Sequence, residues 1–433
     1  MRTPSSADLE RSWIGGLIDW YDRHRGISAI VFTWLITRVL SLLLAATVER
    51  FVVGDVRYYH GKLRALLDLG LGQTLNEYPT PVVWILLLPY GATGGSRVGY
   101  LVAFIIFMLI LDAAFTYALY RSAGRRHGDA VDFWLIFVAL IGPLSYLRFD
   151  ILPAVLAGGA LLAARRRPWI TGALTGLGAA VKLWPALLIL SFLAYRRDRK
   201  AAGLAFVLVG FGLAAVSLLT GGWSRLVSPL TWQSGRGLQI ESIWATPLMV
   251  ARAIRPRNWT VDKSAYQAYE IFGPGVYAWV QISNLVTVLG LAVIAVLVVR
   301  GYRAGGSTPV AVGFAVVATV AIMIVTNKTL SPQYLLWLGG PVAALFVLHR
   351  TARPEEQRAI IRVAGQLVAL ALLTHLVYPQ LYDGFLGLRG RPMIIVSTVV
   401  TALRNVALVL FTVEVCRMAW RFLGADNRFD QGG

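Results

Sequence analysis

The chain has 433 residues, 57% of them hydrophobic and 15% charged, and carries a formal net charge of +19 at pH 7. Soluble domains average about 25% charged residues, so a water-soluble fold has nowhere to put this much apolar surface, and the mean hydropathy of +0.64 points the same way. The basic residues fall in small groups between apolar runs and form no single dense face, which speaks against a nucleic-acid partner. The lone cysteine, Cys416, rules out an intramolecular disulfide and a thiolate metal cluster.

Residues 1–26 are polar, with no small-residue cleavage site before the first apolar run, and read as a cytoplasmic segment ahead of an uncleaved span. A spanning helix needs roughly 20 residues, fewer where neighbours shelter it, and about twelve candidates meet that rule. They are Ile27 to Val48, Val98 to Tyr120, Val131 to Tyr146, Ile151 to Ala164, Trp169 to Val181, Leu183 to Tyr195, Ala202 to Thr220, Pro274 to Val299, Pro309 to Val325, Tyr334 to Leu348, Ile361 to Val377 and Met393 to Cys416. The expected fold is an all-α integral membrane protein, a polytopic bundle occupying 27–424 as one domain, with a cytoplasmic tail at 425–433.

Alternate junctions are basic: Arg121, Arg125 and Arg126; Arg165 to Arg167; Arg196, Arg197, Arg199 and Lys200; Arg300 and Arg303; His349, Arg350 and Arg353; Arg417 and Arg421. By the positive-inside rule these face the cytoplasm with both termini. The outer loops are then 49–97, 221–273, 327–333 and 378–392, together with the neighbourhood of Asp150. Three charges fall inside spans, where a lone ion is costly. Arg38 and Asp112 lie at similar depth from the same face and make a plausible ion pair, whereas Arg404 has no acidic neighbour in sequence.

The chemistry-bearing residues lie in the outer loops. Just past the first span, Gly54-Asp55-Val56-Arg57-Tyr58-Tyr59-His60 brings a carboxylate to the headgroup level. Such an acid can act as the base of an inverting glycosyl transfer, taking the proton of the attacking hydroxyl. It can equally cap the helix that follows. That helix is interfacial, with Val56, Tyr59, Leu63, Leu66 and Leu67 on one stripe and Arg57 and Lys62 available to a lipid phosphate. Glu77-Tyr78-Pro79-Thr80-Pro81 then leads into an apolar run too short to span.

Further on, Arg148 and Asp150 occupy one outward junction and Lys182-Leu183-Trp184-Pro185 the next. Lys182 can neutralise a departing phosphate or merely snorkel to the headgroups. The stretch Trp232 to Ser242, containing Arg236, Gln239 and Glu241, joins amide, acid and aromatic groups as sugar recognition requires, although an aromatic belt would look similar. Asn327-Lys328 and Gln333-Tyr334 add amide, ammonium and phenol at another outward helix start. No group of carboxylates or histidines has metal-ligand spacing, so no metal and no cofactor is expected.

On Asp55, Tyr78-Pro79, Arg148 with Asp150, Lys182 with Trp184 and Pro185, the run Arg236 to Ser242, and Ser331-Pro332-Gln333-Tyr334, the chain resembles the multispanning type-C glycosyltransferases, most closely glycosyltransferase family 87. The resemblance implies an inverting, metal-independent enzyme of the cell membrane. It would transfer mannose from a polyprenyl-phosphate donor, in α-1,2 linkage, to a glycolipid or lipoglycan acceptor on the outer face. It also implies that Asp55 is the base. Arg57, His60, Lys182, Arg236, Gln239, Glu241, Asn327, Lys328, Gln333 and Tyr334 become candidates for donor phosphate or sugar, and Asp150 a second acid. The Tyr-Pro element reads Glu-Tyr-Pro-Thr-Pro where Tyr-Pro-Pro is common, which leaves arabinofuranosyl transfer open. A twelve-span transporter is the rival of another class; it should show internal repeats and midplane charges, and no repeat stands out.

Overall fold

The computed structural model describes residues 26–123, 128–194, 199–304 and 307–424. The expected cytoplasmic segment up to residue 25, the tail 425–433, Tyr195 and the basic residues Arg125, Arg126, Arg196 and Arg197 lie outside the described residues, as does the side chain of Arg350. Among the described residues, eight helices are long and apolar enough to cross a membrane. They carry lipid-facing surface: Phe32, Phe211 and Leu285 are all exposed on spans, as expected when the solvent is hydrocarbon. The chain is thus an all-α multi-pass membrane protein.

Helix α1 (Ile27–Thr47) is followed by an interfacial helix, α2 (Gly54–Arg64), and a short apolar helix, α3 (Thr80–Ala92). Helix α3 does not cross, because both its ends meet α2: Tyr78 before it packs on Tyr59, and the Gly95 carbonyl after it bonds His60 Nε2 at 2.8 Å, so α4 (Arg97–Ala123) starts on the side where α1 ended. The link into α3 is pinned by buried Arg225, which donates to the carbonyls of Thr74, Leu75 and Tyr78 at 2.9–3.3 Å.

The centre of the bundle is built from short helices: α5 (Gly128–Ile141), α6 (Ile151–Ala163), α7 (Pro168–Val181) and α8 (Leu188–Leu193). Gly142, in a left-handed conformation, and Pro143 end α5. Helix α9 (Arg199–Gly235) packs on α7, where Gly172 stands against the backbone of Ala202; any side chain there would collide with it. The same close approach of small residues, Gly340 to Ala154, seats α6 against a later helix, as is common between helices in lipid.

Expectation and structure differ past Thr220. The apolar run does end there, but the chain turns at Gly222 (φ 74°) and resumes as helix to Gly235. The remainder of that outer loop forms α10 (Thr246–Ile254) and an antiparallel hairpin of β1 (Thr260–Lys263) and β2 (Tyr269–Phe272), to which Gln239 adds a bridge at Glu270. Helices α11 (Val276–Arg303), α12 (Pro309–Thr326), α13 (Leu336–Val347), α14 (Pro354–His375), α15 (Tyr382–Leu386) and α16 (Gly390–Leu423) complete the bundle. Helix α12 is buried nearly all round and forms its axis.

Arg38 and Asp112 do pair. Nε and Nη2 of Arg38 meet the two carboxylate oxygens at 2.8 and 3.1 Å, and Trp134 Nε1 (2.7 Å) and Tyr146 Oη (2.8 Å) also donate to Asp112. Arg404, without an acidic neighbour in sequence, reaches Glu241 from the outer loop, donating to its carbonyl at 3.0 Å and meeting its carboxylate at 3.5 Å.

Candidate active site

The apolar stripe of α2 explains how Asp55 is presented. Val56, Tyr59 and Leu63 are buried against the bundle, which turns the first-turn residue Asp55 to one flank of the helix. Leu67 departs from the expected stripe and is 95% exposed, because the helix breaks at Ala65 and resumes out of phase. The cap position belongs to Val53, without a side-chain cap bond, so Asp55 is not the cap. Its partner is Arg148, whose Nε lies 2.6 Å from Asp55 Oδ2. Arg148 is held in turn by the carbonyls of Val52 and Leu147 (3.2 and 3.3 Å) and by Tyr378 Oη at 3.5 Å.

Oδ1 of Asp55 has no partner among the described residues, and the side chain is 37% exposed. Water therefore reaches the carboxylate even though protein surrounds much of it. Burial is the larger influence and pushes the carboxyl above its ordinary value; Arg148 opposes the rise, Asp150 adds to it, and Lys263 and Lys182 oppose it.

A second acid stands beside it. Asp150 precedes α6 and Lys182 ends α7; the two helices form a hairpin whose open ends bring these residues into an ion pair. Trp337 Nε1, near the start of α13, donates to the same Asp150 oxygen at 2.8 Å. The Lys182 ammonium lies over the rings of Trp337 (4.5 Å), Phe149 (5.1 Å) and Tyr334 (5.2 Å). Tyr334 and Trp184 both stack on Trp337. The ammonium is thus held by one carboxylate and three π-faces.

The other sequence candidates divide into two groups. Gln239 donates through Nε2 to Ser331 Oγ (3.1 Å) and through its backbone to the Lys328 carbonyl (3.2 Å). Lys328 donates to the Ser234 carbonyl at 2.8 Å, while Asn327 Oδ1 accepts from Gln233 and Thr329. Burial lowers the pKa of Lys328; Glu270 opposes and Arg236 reinforces that shift. These bonds stitch the loop after Gly235 to the start of α13, with Arg236 and Gln333 half-buried alongside. Glu241 is fully buried against Arg404, and burial lifts its carboxyl to about 7 against the pull of that guanidinium.

Arg57 and His60 are not brought to Asp55. His60 Nε2 bonds the Gly95 carbonyl at 2.8 Å and its ring packs between Tyr90 and Tyr100, so both residues line a separate cavity. Another cavity, at the far end of the bundle near Asp129, Arg165 and Phe346, holds none of the candidates. Among the described residues no three His, Cys, Asp or Glu side chains gather as a metal site would require.

Sequence reasoning assigned no role to Lys263, Trp337 or Tyr378. Lys263 ends a four-residue strand, Thr260–Lys263, joined to Tyr269–Phe272 by five residues. The other two reach the site only through the tertiary fold. What the arrangement can do is accept a proton at an exposed carboxylate oxygen next to fixed cations, at the end of the bundle where α1 meets the membrane surface.

No curated protein and no solved structure matches the chain. A family model does, over residues 77–326, a stretch that holds Arg148, Asp150, Lys182, Glu241 and Lys263 and begins after Asp55. With more than half its length matched and a multi-pass helical bundle around the site, this chain belongs to glycosyltransferase family 87.

Proposed function

We propose that this glycosyltransferase transfers mannose, with inversion, from a polyprenyl-phosphate donor to a hydroxyl of a glycolipid or lipoglycan, with Asp55 as base. The observation that carries the reading is the setting of Asp55: Arg148 holds its Oδ2 at 2.6 Å while the side chain stays 37% exposed, so the carboxylate is both oriented and accessible. The acceptor O–H gives its proton to that carboxylate as the hydroxyl oxygen attacks the anomeric carbon. The bond from that carbon to the phosphate oxygen breaks, and polyprenyl phosphate leaves with the electron pair. Lys263 and Lys182, the other cations whose fields reach Asp55, are the groups in range to stabilise its growing charge. Arg148 acts as a positioning residue, holding the carboxylate in one orientation.

The 27–424 segment acts as one catalytic unit, with the Asp55 end facing outward and both termini cytoplasmic. Supporting this orientation, Arg121, Arg165 to Arg167, Arg300, Arg303, Arg417 and Arg421 cluster at the opposite helix ends. The α-1,2 linkage and the lipoglycan acceptor are part of the same proposal.

The test is turnover by purified protein in proteoliposomes supplied with radiolabelled polyprenyl-phosphate mannose or polyprenyl-phosphate arabinose. Consumption of the mannosyl donor, unaffected by EDTA, is expected. Use of the arabinosyl donor alone would reassign the sugar, and activity lost in EDTA and restored by Mg or Mn would overturn the metal-independent step.

A further inference from the structure

The cavity that takes Arg57 and His60 away from Asp55 has a volume of about 550 Å³ and is lined by three arginines, Arg57, Arg64 and Arg97. On α2 the positions Arg57, His60, Gly61 and Arg64 follow the spacing of a single helical face. At about 100° per residue that puts Arg57 and Arg64 roughly 160–180° around the axis from Asp55. Among the described residues none of the three arginines has a carboxylate partner. Three guanidinium groups around one opening repel one another unless an anion joins them.

The cavity is built, and exposed apolar side chains stand within three residues of its lining. Arg97 opens α4 and α2 follows the end of α1; with both ends of the intervening α3 held against α2, all the lining lies at one end of the bundle. His60 Nε2 ties α2 to the turn at Gly94 and Gly95, both in left-handed conformations. A Cβ added at Gly61 or Gly94 would meet nothing within 4 Å, so both glycines border open space. Leu67, Leu88 and Val98, chain neighbours of the lining residues, are exposed apolar side chains that only acyl chains would cover.

We propose that this cavity binds the phosphate of an anionic membrane phospholipid, held by the guanidinium groups of Arg57, Arg64 and Arg97. Guanidinium forks match phosphate oxygens, and the exposed apolar side chains nearby favour a phosphate that carries acyl chains. The bound phosphate lies across α2 from the base and is not the one that leaves in catalysis. It fixes α2 in the headgroup plane, and with it the depth of Asp55. The site stands on its own geometry, independent of which sugar is transferred.

The experiment reads phospholipid retained by the full-length protein after transfer from nanodiscs of phosphatidylcholine doped with phosphatidylglycerol, by native mass spectrometry. Wild-type protein is expected to retain phosphatidylglycerol selectively, and inorganic phosphate should not displace it. Arg57→Gln with Arg97→Gln removes two exposed charges and should cut retention roughly tenfold or more. Gly61→Leu should do the same by filling the cavity with every arginine intact, and Gly61→Ala should leave retention high. Equal retention in the double arginine variant would overturn the proposal even if the Gly61→Leu protein failed to fold. Displacement by inorganic phosphate would also overturn it, making the site one for a soluble anion.

Discussion

Two arginine–aspartate pairs, Arg38–Asp112 and Arg148–Asp55, use the same chemistry at different degrees of solvation. Asp112 is 0% exposed and receives Arg38 on both oxygens, with Trp134 and Tyr146 as further donors. Arg148 meets Asp55 at Oδ2, and the Asp55 side chain stays 37% exposed. In the first pair every strong acceptor direction is used, so the carboxylate has no capacity left for a ligand. In the second, the same guanidinium contact orients an acid whose remaining lone pairs are available. Saturation marks the pair that holds helices together, and incompleteness marks the one that can do chemistry.

The largest effect should separate those roles. Asp55→Asn should lower turnover by about 10²–10⁴-fold, the usual worth of a general base, while the denaturation midpoint in detergent stays at the wild-type value; retained turnover would remove Asp55 from the mechanism. Asp112→Ala should do the reverse, costing about 3–5 kcal/mol of stability because it strands Arg38 in the bundle. Equilibrium unfolding in mixed micelles measures it, and a loss well under that range would mean the pair is dispensable. Trp134→Phe keeps the ring and removes one donor to Asp112, and should cost about 2 kcal/mol, the scale of a hydrogen bond to a charged group. If the variant is as stable as wild type, Asp112 is not saturated in the sense argued above.

The smallest effect is a shift in pH dependence. A base must be ionised to act, so activity rises as pH climbs through the folded-state pKa of Asp55, which burial holds above the ordinary 3.8. Arg148 opposes that rise, and Arg148→Gln should therefore move the acid limb of the pH–rate profile to higher pH. An unmoved limb would show that another group titrates there.

Much of the scaffold was legible in the sequence because lipid imposes a simple rule on it. Apolar runs marked the spans, and similar depth from one face was enough to pair Arg38 with Asp112 across 74 positions. Position just past the first span likewise singled out Asp55 for attention. What hydropathy could not supply was which distant groups meet there. Tyr378 contacts Arg148 across 230 positions and Trp337 contacts Asp150 across 187, and neither contact follows from a local period. Lys263 was missed for another reason: a four-residue strand in a polar loop is too short for alternation to register against aromatic and glycine-rich surroundings. Arg57 shows what a polar helix face leaves open: it offers a cation to a lipid phosphate, but a separation of two on a helix turns Arg57 and Asp55 to opposite sides of α2.

The brevity of the central helices has a bearing on how substrate is delivered. Helices α6 and α7 have 13 and 14 residues, about 20 Å of rise against a hydrocarbon layer of about 30 Å. With the arginines at their linked ends anchored in one leaflet, the Asp150–Lys182 junction at their other ends sits recessed below the opposite surface. For a carrier of the proposed kind, the reaction can come to the cargo: its long tail stays dissolved among acyl chains while the sugar is engaged in a shallow well, partly screened from bulk water.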